Sequence, residues 1–312
     1  METRSRPANH AVELALLALL ATLWGASYSL IKLGVATIPP VTLIAARTLI
    51  AAGVLIAIMR WRGTTLPRDG ATWRRFLIQA GLNSVVPFTL IAWAEQAVDA
   101  GLATILNSTS PIFTFLLTLA ITRHEPATVR KLLGVALGIG GIGLILGLQV
   151  LDGLGDALIA QLAIVLATVC YAGAAIFGRS FKGLDPMAPA AGSLICGAIV
   201  LLPLSLALDQ PWRLAPSTDS LLALLGLAVF STAFALVIYF RLVQTLGSIG
   251  TTAQAYLRVP VGVAIGIGFL GETLSATAWL GFAGVVAGVV AMTVPAAPPR
   301  GAQTLSRLRP AP

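Results

Sequence analysis

The run VELALLALLATLWGASYSLIKL at residues 12–33 is 22 residues long and carries charges only near its ends, at Glu13 and Lys32. A helix needs about 20 apolar residues to cross roughly 30 Å of hydrocarbon. The run is too long for the apolar core of a signal peptide, about 7–15 residues, and no small-residue cleavage site clearly ends it. We therefore predict that it forms a retained membrane-spanning helix.

Nine further apolar runs of similar length follow it, separated by short segments rich in charge, glycine and proline. The composition agrees, since 57% of the 312 residues are hydrophobic and only 10% are charged, against about 25% charged in soluble proteins. The alternating pattern of an outer-membrane barrel is absent. We predict an all-α integral membrane protein with ten transmembrane helices. The predicted spans are 12–33, 41–60, 76–95, 100–121, 130–149, 157–178, 187–208, 219–240, 247–270 and 276–295.

Basic residues fix the predicted orientation. With the N-terminus in the cytoplasm, sixteen of the twenty Lys and Arg lie on the inner side, and only Arg213 lies on the outer side. This bias is typical of multi-pass proteins, so we predict a cell (inner) membrane protein with both termini cytoplasmic. The net charge of +8 then reflects cytoplasmic loops that flank the bilayer, and no nucleic-acid partner is expected.

The two halves of the chain repeat one another. Residues 12–149 and 157–295 each hold five predicted spans. An odd number of spans per half requires the second half to insert upside down, an arrangement used by secondary transporters with a substrate site near the midplane. The clearest matches are Trp24 with Tyr171, Pro39 with Pro186 and Glu125 with Glu272 at an offset of 147, and Pro111 with Pro260 at an offset of 149.

Short motifs in this order resemble a known family. They are Trp24-Gly25, Pro39-Pro40 followed by Arg47, Ser110-Pro111, and the glutamates Glu125 and Glu272 before the fifth and tenth spans. Over residues 12–295 the chain resembles the EamA-type branch of the drug/metabolite transporter superfamily. The resemblance implies ten helices in two inverted five-helix repeats and export of small metabolites, often amino acids. One departure is Arg123-His124-Glu125, where the second half has Leu270-Gly271-Glu272.

An ionisable residue costs about 2.5–3.5 kcal/mol at the centre of a membrane helix, so four residues of the spans need an explanation, namely Lys32, Arg47, Glu95 and Arg258. Arg258 is the most central, with Gln254 one turn earlier on the same face and Pro260 expected to free backbone groups nearby. It either receives an anionic substrate group or holds helices together through an ion pair or a carbonyl. Arg47 also has two interpretations. It either contacts the substrate or snorkels in part towards the outer interface.

Lys32 and Glu95 are less central. Lys32 is either a snorkelling anchor, as its match with Arg179 suggests, or a cavity residue on the face of Trp24 and Tyr28. Glu95 is expected to pair with Lys32 or Arg47, and it is the candidate for proton coupling because it is the only acid near the membrane interior. A structural ion pair is the alternative.

Polar and aromatic residues complete the candidate site. The substrate-binding candidates are Arg258, Arg47, Gln254, Tyr256, Asn107, Ser110, Trp24, Tyr28 and Lys32, and the candidate helix breaks are Pro111 and Pro260. Such side chains either line a cavity or bridge helices.

Other site chemistries find little support. The two histidines, His10 and His124, lie outside the spans, and the cysteines Cys170 and Cys196 lie in apolar runs without metal spacing. We therefore predict no metal, no cofactor and no enzymatic activity. Two glycine patterns, beginning at Gly138 and Gly266, match the dinucleotide fingerprint but follow no strand.

Glycine spacing predicts close helix packing instead. Gly134 and Gly138, and Gly284 and Gly288, fit the small-xxx-small pattern, either within the bundle or in a homodimer.

The sequence thus predicts a secondary transporter in the lipid bilayer that works by alternating access. Three in-span cations against one acid favour a small substrate with an anionic group, such as an amino acid or organic acid. The alternatives are a non-transporting sensor or assembly factor with a transporter fold and, with less support, an intramembrane enzyme.

Overall fold

The computed structural model describes residues 10–122, 128–146, 156–246, 251 and 254–293, and within them all regular structure is helical. Seven of the described helices are long and apolar enough to cross a membrane, and three shorter apolar helices accompany them. The long ones are α1 (His10–Val35), α2 (Pro40–Trp61), α3 (Gly70–Ala94), α4 (Ala100–Ala120), α6 (Asp156–Gly178), α7 (Met187–Leu208) and α8 (Thr218–Thr245). The others are α5 (Val129–Leu146), α9 (Gln254–Leu270) and α10 (Ala276–Thr293).

Three of these helices contain breaks or π-helical segments. In α3 and α8 the π-helices are Gly81–Val85 and Val229–Phe234. Their starts are 148 residues apart, which matches the offset of the sequence repeat. Helix α4 consists of Ala100–Asn107, a turn and Ser110–Leu117, and it ends in a π-helix, Thr118–Thr122, that runs two residues past Ala120. Short 3-10 helices occupy Arg179–Phe181 and Pro211–Arg213.

Two predicted span boundaries are wrong. Helix α3 begins at Gly70 instead of 76, because the Asp69 side chain accepts a hydrogen bond from the Thr72 N–H and caps the helix. The same bond lowers the pKa of the Asp69 carboxyl. Helix α8 continues to Thr245 instead of 240, because Arg241 within it pairs with Glu13 at 2.8 Å.

Helices that hold the same place in the two halves pack antiparallel. At the start of α2, the Thr42 N–H and hydroxyl both donate to Asp209, which follows the end of α7. At the other end, Arg62 after α2 donates to Met187 at the start of α7. Likewise, Arg130 near the start of α5 donates to the carbonyl of Ala291 near the end of α10.

The remaining packing follows the same exchange of halves. Helix α1 packs along α8 and α9, and α6 packs along α3 and α4 in the corresponding way. Helix α6 is the counterpart of α1, and α3 and α4 are the counterparts of α8 and α9. Equivalent helices therefore have equivalent neighbours. Apolar side chains on the outside of the bundle are exposed. Examples are Ile199 and Phe269, which are 64% and 85% exposed. Such a surface suits lipid and not water.

Glycines bring α5 and α10 into backbone contact within the chain. A Cβ at Gly288 would lie 2.4 Å from the Gly134 carbonyl oxygen, and one at Gly141 would lie 2.5 Å from the Gly281 carbonyl oxygen. The small-xxx-small faces are therefore used inside the bundle, and homodimer formation stays a prediction.

We predict that Gly141→Ala lowers the free energy of unfolding by about 1–3 kcal/mol, because the new methyl group forces α5 from α10. Gly140→Ala is the matched control, since nothing lies within 4 Å of a Cβ at that position. Denaturation of purified protein in mixed micelles measures both. Equal stability of the two variants would contradict the contact.

Candidate functional site

A cavity between the two halves collects residues from seven helices and encloses about 630 Å³ of space free of protein atoms, any opening to solvent included. Six of the predicted site residues line it, namely Trp24, Tyr28, Arg47, Ser110, Gln254 and Arg258. The remaining lining residues are Ser27, Ile31, Asn83, Phe88, Ile91, Tyr171, Ala175 and Tyr239.

Arg258 is held by a carbonyl that Pro111 makes available. Because proline has no N–H, the carbonyl of Asn107, four residues earlier, loses its helical donor. The Arg258 Nη2 donates to that carbonyl at 2.7 Å and also to the Asn107 Oδ1. The Ser110 hydroxyl donates to the same carbonyl at 2.9 Å. A break in α4 thus supplies the acceptor for a buried guanidinium on α9.

The expected break at Pro260 is not found. Helix α9 continues through Pro260 from Gln254 to Leu270, since a single missing N–H can be tolerated within a helix. Of the two candidate breaks, only Pro111 lies at an interruption, just after the turn at Ser108–Thr109.

Close approach of α1 fixes the other side of Arg258. A Cβ at Gly25 would lie 2.7 Å from the Arg258 carbonyl oxygen, so a glycine is needed where the two helices cross. The Arg258 guanidinium carbon lies 5.8 Å from the centre of the Tyr28 ring, within cation–π range. Arg258 is buried, and its Nε has no hydrogen-bond partner among the described residues.

Arg47 is held by the π-helix of α8 and by an aromatic ring. Its Nε donates to the Thr232 hydroxyl at 2.6 Å, and that hydroxyl donates to the Leu227 carbonyl five residues earlier, which the π-helix leaves accessible. The guanidinium carbon lies 3.7 Å above the centre of the Phe88 ring. Neither Nη nitrogen bonds to another described residue, so Arg47 is oriented while two donor groups stay available.

Further polar groups at this site lack partners within the described part of the chain. They are the Asn83 Nδ2, the Asn107 Nδ2 and the Gln254 Oε1. Buried polar groups are normally hydrogen-bonded. Together with Arg47 and Arg258, they provide more donors than acceptors, as a site for an anionic group requires.

Asn83, Phe88, Tyr171, Tyr239 and Thr232 were missed by the sequence prediction. A signal for some of them existed, since the polar pair Asn83-Ser84 matches Ser231-Thr232 at an offset of 148. Both pairs lie in π-helices, a feature common at functional sites.

The indole of Trp24 joins the aromatic wall to α8. Its Nε1 donates to the Ser231 carbonyl at 3.1 Å, and its ring centre lies 5.4 Å from that of Tyr239. On the far side of the cavity, the rings of Phe88 and Tyr171 are 6.4 Å apart. The cavity wall therefore presents ring faces beside the two guanidinium groups.

Two predicted site residues, Lys32 and Asn107, do not line the cavity. Lys32 donates to the main-chain carbonyls of Glu95 and Val98, at 2.8 and 2.9 Å, and so caps the end of α3. Asn107 lies behind Arg258 as its acceptor. The backbone of Tyr256 belongs to α9, but its side chain lies outside the described part of the structure.

The expected ion pair of the Glu95 carboxylate with Lys32 or Arg47 is not formed. Lys32 contacts the backbone carbonyl of Glu95 and not its carboxylate. The Glu95 side chain is fully buried, and neither carboxyl oxygen has a hydrogen-bond partner among the described residues.

Glu272 has a defined structural role. Its carboxylate accepts the N–H groups of Ala100 and Gly101, both at 2.8 Å, and caps the first turn of α4. Glycines at 101 and 266 leave room for it, since a Cβ at either would approach its Oε2 within 3.0 Å. Its sequence match, Glu125, lies outside the described residues.

Comparisons with known proteins agree on one family. The model of the EamA-like transporter family matches residues 12–147 and 158–294. The Escherichia coli K12 protein named "Uncharacterized inner membrane transporter YedA" is 29% identical over 88% of each chain. The "Probable terminal-alkyne amino-acid exporter" of Streptantibioticus cattleyicolor is 25% identical over 88% of this chain and 91% of its own. A crystal structure with 18% identity has a TM-score of 0.65 over 91% of this chain and 96% of its own, which shows the same fold.

We predict a coupling of about 1.5–3 kcal/mol between Arg258→Met and Asn107→Leu in a double-mutant cycle of unfolding free energies, as for a buried hydrogen bond to a charged group. The control cycle combines Arg258→Met with Thr114→Val. Within the described part of the chain, Thr114 bonds only the Ser110 carbonyl of its own helix, so those two effects should add. Additivity in the first cycle would show that the Asn107 side chain does not hold Arg258, since the main-chain carbonyl contact remains in Asn107→Leu.

Proposed function

Because the chain belongs to the EamA-like transporter family, we propose that it is a secondary transporter of small metabolites that carry an anionic group. The family and the relatives point to a multi-pass membrane transporter and away from an enzyme. The proposed substrates are amino acids or organic acids, which the protein exports by alternating access.

One observation carries the substrate class. Arg47 and Arg258 are both buried and line the same cavity, and neither has a carboxylate within ion-pair distance among the described residues. Two such cations are costly in a membrane unless an anion joins them at some stage of the working cycle. Arg258 has a structural acceptor in Asn107, whereas Arg47 keeps two Nη groups for a solute. We assign Arg47 as the main contact for the solute's anionic group.

The aromatic wall supports a solute with an apolar or planar body. Trp24, Tyr28, Phe88, Tyr171 and Tyr239 surround the two cations. The Gln254 Oε1, an acceptor without a hydrogen-bond partner among the described residues, suits an ammonium or other donor on the same solute. An amino acid has this combination, and the exporter from Streptantibioticus cattleyicolor is named for an amino acid.

Antiparallel packing supports the inverted repeat. If the second five spans are inserted upside down, α2 and α7 must run in opposite directions, as must α5 and α10. The contacts of Thr42 with Asp209 and of Arg130 with Ala291 agree with both requirements. The proposed fold is therefore ten spans in two inverted five-helix repeats, with the solute cavity between them.

The proposed orientation places both termini in the cytoplasm. It puts the start of α1 and the end of α8 on one side, and Glu13 does contact Arg241 there. It puts the other ends of these helices together, where the Ser220 hydroxyl donates to the Leu33 carbonyl at 2.7 Å.

Counterflow of a matched solute series into proteoliposomes tests the substrate class. 3-Phenylpropionate, phenylalanine and phenethylamine share one ring but are anionic, zwitterionic and cationic. We expect exchange of the first two and none of the third. Exchange of phenethylamine alone would overturn the proposal, and absence of all flux with folded protein would favour a sensor or assembly factor.

We predict that Arg47→Gln reduces counterflow of 3-phenylpropionate by about 10–100-fold, which corresponds to the loss of a charge-assisted hydrogen bond. Arg213→Gln is the control, because Arg213 is an exposed cation in a loop away from the cavity. Equal flux of Arg47→Gln and the unmodified protein would contradict the assignment of Arg47.

A further inference from the structure

Glu95 continues the cavity-lining face of α3. Phe88 and Ile91 line the cavity, and Glu95 follows them at the spacing of one helical face. Its side chain is fully buried, and neither carboxyl oxygen has a hydrogen-bond partner among the described residues. An ionised carboxylate in such a place is costly. The carboxyl group therefore follows the cavity-lining face of α3, one turn beyond Ile91, and no hydrogen bond to a described residue explains its burial.

Charged groups from three elements act on this carboxyl. Lys32 on α1 and Arg47 on α2 favour its ionised form, whereas Glu272 in the loop after α9 opposes it. Tyr28, also on α1, is close enough to interact electrostatically with Glu95. Lys32 is held by main-chain carbonyls and Glu272 by main-chain N–H groups, so neither is committed to Glu95. Burial and Glu272 stabilise the neutral acid, whereas Lys32 and Arg47 stabilise the anion.

The acid is absent from the other repeat. Offsets of 147, 148 and 149 from Glu95 lead to Leu242, Val243 and Gln244. A residue that served only to hold the duplicated scaffold would be expected in both halves. Its presence in one half places Glu95 with Arg47 and Arg258, whose counterparts Leu194 and Thr109 are also uncharged.

We propose that Glu95 is a proton-binding site that takes up its proton together with the solute. This inference rests on the proposed transport of anionic solutes. A solute carboxylate that binds Arg47 withdraws a cation from Glu95 and adds a nearby negative charge, and both effects favour the protonated acid. By thermodynamic linkage, the proton then favours solute binding to the same degree. Proton and solute therefore move in the same direction, and export occurs when the solute gradient outweighs the proton gradient.

Infrared difference spectroscopy tests the proton site without any solute. We expect a carbonyl stretching band of a protonated carboxylic acid that disappears as the pH rises and is absent from Glu95→Gln. Glu13→Gln is the matched control, because Glu13 is also buried but paired with Arg241, and its band pattern should equal that of the unmodified protein. A spectrum unchanged by Glu95→Gln would overturn the proton site, whether or not the protein transports the solutes proposed above.

A second experiment tests the coupling. In weakly buffered detergent solution with a pH dye, binding of 3-phenylpropionate should be accompanied by proton uptake, and Glu95→Gln should bind the solute without it. In proteoliposomes, Glu95→Gln should retain counterflow, since glutamine resembles the neutral acid. The same variant should lose the acceleration of transport by a pH gradient. Glu95→Asp should retain part of that acceleration. Proton release on binding, or equal proton uptake by Glu95→Gln, would overturn the coupling. Failure of counterflow in the unmodified protein would instead refute the proposed function.

Discussion

A guanidinium group inside a membrane must be hydrogen-bonded, and the pairing of Arg258 with the Asn107 carbonyl meets this requirement. The acceptor exists because Pro111 cannot donate to it. The pairing ties α9 of the second half to the broken α4 of the first, beside the point where Gly25 lets α1 touch α9. If residue 111 carried an N–H and α4 were continuous, the Asn107 carbonyl would accept that N–H and would not be available to Arg258.

The scaffold is duplicated but the site is not. Both α3 and α8 have a π-helix at equivalent positions, and equivalent helices pack antiparallel. The charges break this symmetry, since Arg47, Arg258 and Glu95 have uncharged counterparts. Arg47 and Arg258, each charged in one copy only, thus line a cavity between two halves that share a scaffold.

Much of the fold could be predicted from the sequence because membrane spans depend on length and hydropathy alone. The in-span cations could be selected for the same reason, since charge in lipid needs an explanation. The atoms that receive those charges could not be predicted. Whether Pro111 or Pro260 breaks its helix, and whether Lys32 reaches a carboxylate or a carbonyl, depends on tertiary packing that one sequence does not encode as a local pattern. The π-helices likewise became visible only in the structure, although the matched polar pairs Asn83-Ser84 and Ser231-Thr232 mark their positions.

We propose that the cavity between the two halves binds the carboxylate of a solute at Arg47. Crystals grown with 3-(4-bromophenyl)propionate test it most directly, because the anomalous signal of bromine locates the ring without ambiguity. We expect bromine among the aromatic side chains of the cavity, and we expect the carboxylate within hydrogen-bonding distance of an Arg47 Nη group. Bromine outside the cavity, or a carboxylate that contacts neither Arg47 nor Arg258, would contradict it.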